Sequence, residues 1–132
     1  MSSLPVVLVV EDNAELRHVL KEALSAEGYQ VLTTRDASEA LEMLRGTHVD
    51  LFISDLTDPK DADEALQSVR REFPKVPVVA LAEGAGPHPA FFFAGWKNPH
   101  GYLMLPKPFR LGELLALCRK VLGPAAGTHQ SS

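Results

Sequence analysis

The stretch Asp50-Leu51-Phe52-Ile53-Ser54-Asp55-Leu56-Thr57-Asp58-Pro59 decides how the chain folds. Leu51, Phe52 and Ile53 form an unbroken apolar run, which is what a parallel strand covered on both faces requires, and the run stops at Asp55. Asp55 is therefore expected at the carboxyl end of a strand. In an open parallel sheet ligands bind along that edge, so a carboxylate there lies on the reactive side of the fold. Taken alone, an Asp opening a strand-to-helix connection often does no more than accept hydrogen bonds from nearby backbone N–H groups. Its meaning depends on what the rest of the chain brings to the same edge.

Working outward, Val6 to Val10 is a second continuous apolar run, and it too ends in acid, at Glu11 and Asp12. Asp12 or Asn13 can cap a following helix, in which Leu16, Val19, Leu20, Ala23 and Leu24 keep the three-four spacing of one buried stripe until Gly28. Val31 to Thr34 is short and half polar, as an edge strand should be. Asp36 with Glu39 three residues later resembles a capping box, opening a helix that turns Ala37, Ala40, Leu41 and Leu44 inward and stops at Gly46. Beyond Asp55, the residues Ala65, Leu66, Val69 and Phe73 share one face of a third helix, ended by Pro74. Pro77 opens a fourth strand that runs to Ala82, Gly101 to Leu105 reads as a fifth, and Leu111 to Leu122 as the last helix, stopped by Gly123 and Pro124. Residues 1–4 are expected to be an N-terminal extension, 5–123 one domain, and 124–132 a flexible tail or linker stub. Strands alternating with helices predict a doubly wound α/β domain, with a five-stranded parallel sheet in the flavodoxin-like order 2-1-3-4-5 and helices on both faces. That order makes strands one and three neighbours, so Glu11, Asp12 and Asp55 meet in one crevice.

Composition narrows the function. The 132 residues carry 13 Lys and Arg against 17 Asp and Glu, a net charge of −4, which argues against a nucleic-acid surface and for proteins or small ions as partners. The one cysteine, Cys118, excludes an internal disulfide and falls on the apolar stripe of the last helix, as expected in a reducing, cytoplasmic setting. Neither a membrane span nor a signal peptide is legible. None of the five histidines stands in a metal or nucleophile motif.

Three carboxylates in one crevice repel one another, and a divalent cation relieves the repulsion. A few hard oxygen ligands with room left for water suit Mg²⁺. From strand five, Leu105-Pro106-Lys107-Pro108-Phe109 delivers Lys107 to the same edge in a segment stiffened by two prolines. A lysine placed there can neutralise a transferred phosphoryl group.

Val-Val-Glu-Asp-Asn, Ile-Ser-Asp-Leu and Lys-Pro-Phe, in this order and on these strand ends, resemble the receiver domain of two-component response regulators across residues 5 to 122. The resemblance implies that Asp55 is the phosphoacceptor and that Asp12, Asp55 and the Thr57 carbonyl ligate Mg²⁺, with Glu11 acting through water. It further implies that Lys107 pairs with the phosphoryl group, and that the donor is the phosphohistidine of a histidine kinase or phosphotransfer protein. The domain would be a phosphoacceptor that assists its own modification rather than an enzyme. An α/β phosphatase of the haloacid dehalogenase type fits poorly, because that chemistry wants a second acid two residues after the nucleophile and Thr57 stands there.

The chain also departs from the family pattern. The switch Ser or Thr at the end of strand four is replaced by Ala82, and no Ser or Thr occurs between Ser68 and Thr128. Met104 stands three residues before the lysine, where the family carries its switch aromatic, and Tyr102 is two residues earlier, so either the strand tip is lengthened with Tyr102 as the switch aromatic or that residue is absent. Phe91, Phe92, Phe93 and Trp96 crowd a segment rich in Gly and Pro, so residues 84–105 are read either as a face that meets a protein partner or as a core wedge replacing missing helical packing. These departures predict weak switch coupling; the alternative is a pseudo-receiver that works as a phosphorylation-independent interaction module.

Overall fold

The computed structural model describes residues 4–55, 67–83 and 103–123, the side chains of 82, 83, 104 and 106 excepted. The order of elements is β1 (Val6–Val10), α1 (Ala14–Ala26), β2 (Gln30–Thr34), α2 (Ala37–Gly46), β3 (Leu51–Asp55), a helical segment α3 (residues 67–72), β4 (Val78–Glu83), β5 (Leu103–Lys107) and α4 (Leu111–Leu122). The strands pair in parallel in the order β2-β1-β3-β4-β5. This is the flavodoxin-like α/β arrangement with helices on both faces.

Strand alternation sorts the core into two layers. Val7, Val9, Leu51, Ile53, Val79, Leu81 and Leu105 pack with Leu20 and Leu24 of α1 and with Leu114, Leu117 and Cys118 of α4. Their neighbours Leu8, Val10, Phe52 and Val78 pack instead with Ala40 and Leu44 of α2 and Val69 of α3. β1 and β3 are thus covered on both sides, which is why their sequences show no polar alternation. β2, at the sheet margin, is buried only at Thr34. Cys118 lies fully inside, and burial pushes its thiol up to about 12, so it is a core side chain and a poor nucleophile.

Local signals hold in most places. The Asn13 side chain accepts from Leu16 N at 2.9 Å and caps α1, and Gly28 takes φ 101 beyond its end. Four details differ from the expectation. Val19 falls on the expected inward stripe of α1 but is 42% exposed, because the face turned to the sheet is that of Leu16, Leu20 and Leu24 and Val19 lies at its margin. Asp36 caps α2 by accepting from Glu39 N, but Glu39 accepts from the Thr34 hydroxyl instead of closing the box on Asp36 N. β4 continues one residue past Ala82 to Glu83. β5 begins at Leu103 and runs through Pro106 to Lys107, where the sequence suggested an end at Leu105. Proline is accommodated there because β5 is the outermost strand among the described residues, with no further strand on one side of its ladder to supply. The expected third helix from Ala65, the aromatic segment, and Tyr102 lie wholly or partly outside the described residues.

Candidate functional site

Register carries the site residues to one edge. Val10 of β1 pairs with Ser54 of β3, so Glu11 and Asp55 leave adjacent strands side by side. Asp55 pairs with Leu81, which pairs with Leu105, and Lys107 lies two residues beyond that line on β5. To reach Asp55 the lysine must cross β4, a span of two strand spacings or about 10 Å, which a long unbranched side chain can cover and a short one cannot.

The lysine does reach. Its Nζ stands 2.7 Å from Asp55 Oδ1 and 3.7 Å from Glu11 Oε1, with side-chain exposures of 17% for Lys107, 4% for Asp55 and 2% for Glu11. This is a nearly dry triad of two acids and one base. Glu11 Oε2 accepts from Asn13 N at 3.1 Å, whereas Oε1 is buried without a hydrogen-bond partner among the described residues. Burial pushes the Glu11 carboxyl above its ordinary value of 4.5, and the nearby Asp55 charge adds to the rise; the Asn13 N–H and the Lys107 ammonium oppose it. Two carboxylates therefore meet one ammonium.

Of the residues singled out from sequence, Glu11, Asp55 and Lys107 come together. Asp12 follows Glu11 at the strand end but is exposed, because consecutive residues leaving a strand point to opposite sides. Among the described residues no three His, Cys, Asp or Glu side chains are gathered into a metal cage. Thr57 and Tyr102 lie outside the described residues, and Ala82 is placed by its backbone, opposite Pro106 in the β4–β5 ladder. The donor set, carboxylate oxygens with one buried oxygen lacking a partner, fits a hard divalent cation. Sequence reasoning gave no weight to Arg17, whose guanidinium Nη1 donates to the Glu11 carbonyl at 2.9 Å and reaches the Asp12 carbonyl at 3.5 Å. Its only signal is position, a cation near the start of a helix just after the acids.

A cavity of about 410 Å³ borders the triad, lined by Leu16, Val19, Lys107, Pro108, Phe109 and Leu111. No helix among the described residues is long and apolar enough to cross a membrane.

Comparison with known proteins agrees with this geometry. The family model of the response regulator receiver domain matches residues 7–119. The response regulator MprA of Mycobacterium ulcerans is 34% identical over 119 residues, covering 88% of this chain and 49% of that protein. MprA of Mycobacterium tuberculosis is 33% identical with similar coverage. The chain thus spans about half the length of the curated relatives it matches. Among solved structures, the chemotaxis response regulator CheY4 of Vibrio cholerae superposes with a TM-score of 0.76 at 27% identity, over 91% of this chain and all of CheY4. The response regulator TrrA of Thermotoga maritima, solved in complex with Mg²⁺-BeF, superposes with a TM-score of 0.74 at 25% identity, over 89% of this chain and 99% of that one. With the family model matched over most of its length and the strand-end triad in place, the chain belongs to the response regulator receiver domain family.

Proposed function

We propose that this receiver accepts a phosphoryl group on Asp55 from the phosphohistidine of a histidine kinase or phosphotransfer protein, with Mg²⁺ as cofactor and with weakened transmission to its output face. The observation that carries the reading is the ion pair of 2.7 Å between Lys107 Nζ and Asp55 Oδ1, nearly buried and flanked by the Glu11 carboxylate. An Asp55 carboxylate oxygen attacks the phosphorus, the phosphorus–nitrogen bond to imidazole breaks, and the transferred group ends as an aspartyl phosphate. Lys107 orients the nucleophile before transfer and turns to a phosphoryl oxygen after it. Asp12, Asp55 and the Thr57 carbonyl would hold Mg²⁺, with Glu11 acting through water. The cation, when bound, offsets the charge on the non-bridging oxygens. The protein assists its own modification and is not proposed as an enzyme acting on other substrates. A cytoplasmic site of action suits a chain whose single thiol is buried in the core.

The weak relay rests on Ala82, which has no hydroxyl to bond a phosphoryl oxygen. A modification shifts a two-state equilibrium only by its difference in affinity for the two states. One charge-assisted hydrogen bond contributes about 1.5–3 kcal/mol, so its loss cuts the population shift about tenfold or more.

Intact-mass spectrometry with acetyl phosphate and Mg²⁺ tests the first step. One added phosphoryl group is expected, absent in Asp55→Asn and absent without Mg²⁺; an unmodified wild-type mass would favour the pseudo-receiver. For the relay, beryllofluoride should leave amide shifts confined to the site in wild type and spread them across residues 84–105 in Ala82→Thr. Equal spread in both proteins would place the relay elsewhere.

A further inference from the structure

The turn from β1 to α1 presents both acids, Glu11 buried and Asp12 exposed, and three consecutive carbonyls of that turn take protons from one residue. Arg17 Nη1 donates to the carbonyl of Glu11 at 2.9 Å and reaches that of Asp12 at 3.5 Å, while its backbone N donates to the carbonyl of Asn13 at 2.9 Å. The last of these is the ordinary bond of a helix's first turn, which any residue would make. Both side-chain contacts come from the one nitrogen Nη1, held in the plane of a guanidinium that stays charged, and a residue without a long cationic side chain could not make them. Arg17 is the fourth residue of α1, near the positive end of the helix dipole, where a cation does nothing for the helix. Its placement is accounted for by the strand-end carbonyls it holds.

Those carbonyls set the orientation of the two peptide planes on either side of Asp12. With both fixed, the Cα–Cβ direction of Asp12 is fixed as well, and the Asn13 N–H stays aimed at Glu11 Oε2, 3.1 Å away. We propose that Arg17 is a positioning residue of the acidic turn, holding the peptide planes around Asp12 so that Asp12 and Glu11 are presented together to a divalent cation. Where it concerns the cation, the inference rests on the Mg²⁺ reading given above; where it concerns the turn, it stands on the hydrogen bonds alone.

Positioning and charge predict opposite signs. If Arg17 mattered only as a nearby positive charge, its removal would strengthen cation binding by lifting a repulsion. If it positions, removal weakens binding despite that relief. The experiment combines amide hydrogen exchange with calorimetric Mg²⁺ titration on wild type, Arg17→Ala and Arg17→Lys. In Arg17→Ala the Asn13 amide is expected to exchange about tenfold faster than in wild type, with the core amide of Val9 unchanged, and Mg²⁺ affinity to fall about tenfold. Arg17→Lys, with a single point donor, is expected to recover part of both. Unchanged Asn13 exchange in Arg17→Ala, equal acceleration at Val9, or tighter Mg²⁺ binding would each overturn the proposal. A wild-type protein that takes up no Mg²⁺ would sink the metal reading separately, and Asn13 exchange would still decide the role of Arg17.

Discussion

β3 carries an aspartate at each end of its run, and the two make opposite use of the same carboxylate. Asp50, just before the strand, has both oxygens engaged: Oδ2 accepts from Val6 N at 2.8 Å and Oδ1 lies 2.8 Å from His48 Nε2, on a ring that is largely exposed. It clips the start of β1 to the start of β3, with the Asp50 N–H donating back to the Val6 carbonyl. Nearby, Arg45 meets Glu72 through two bonds of 2.9 and 2.8 Å, and these hold the Glu72 carboxyl below its ordinary range. Asp50, Arg45 and Glu72 are thus each paired, and each side chain is partly exposed. Asp55, at the other end, shares one ammonium with Glu11 in a nearly buried site, where Glu11 Oε1 has no hydrogen-bond partner among the described residues. The larger cavity, about 700 Å³, lies at the Asp50 end. The site proposed for phosphoryl transfer is thus marked by buried charge, and the larger of these two cavities lies elsewhere.

The largest effect expected from this contrast is on stability. In metal-free buffer Lys107→Ala leaves Glu11 and Asp55 facing each other without their shared cation, and should destabilise the fold by about 3 kcal/mol in urea titration. Mg²⁺ should restore part of the loss. A change no larger than that of an exposed lysine would mean that the triad is wet and loosely coupled.

The next effect is in pH dependence. Because the Glu11 carboxyl is raised in the folded state, native protein holds a proton that the unfolded chain has released between 4.5 and the raised value. This contribution is therefore full below the unfolded value and is lost as pH rises through the folded one. Glu72, lowered by Arg45, gives the opposite slope, with stability lost as pH falls, and is common to both proteins being compared. Melting of Glu11→Gln relative to wild type, with chelator present, should show an advantage for the variant that grows as pH climbs above 4.5. A difference independent of pH would show that Glu11 is ionised at the same pH in both states.

The smallest effect belongs to the other end. Asp50→Ala removes a partly buried bond to Val6 N and should lower stability by about 1 kcal/mol while leaving phosphoryl incorporation at Asp55 unchanged. A loss of labelling would show that the two ends of β3 are coupled.

Much of this was legible in the chain. Leu51 to Ile53 and Val6 to Val10 specify central strands because nothing but double-sided burial tolerates such runs, and those strands then fix where Asp55 and Glu11 emerge. Lys107 was legible as a partner because its flanking prolines confine it. What could not be read were matters of side-chain direction and of competition among partners. Val19 keeps helical spacing yet faces out, since spacing defines a stripe without fixing how wide the sheet contact is. Glu39 chose the Thr34 hydroxyl over Asp36 N because strand-end and helix-start geometry meet only in three dimensions. Tyr29 is buried to 3% with its hydroxyl unpartnered among the described residues, and nothing in its neighbours in sequence foretold that. Arg17 escaped notice because its acceptors are main-chain carbonyls, which sequence patterns do not display.

Among the described residues β5 sits at the margin of the sheet and pairs with β4 alone, and it includes a proline without an N–H to give. Successive strand residues face opposite ways, so sliding β5 by a single position along β4 would carry the Lys107 ammonium from the acids to the far side of the sheet. The alignment of Glu83 with Lys107 therefore acts as a setting for the whole site. Among the described residues, Lys107 is the side chain that ties this outer strand to Asp55 across β4, so the position of β5 and the surroundings of the carboxylate are set together.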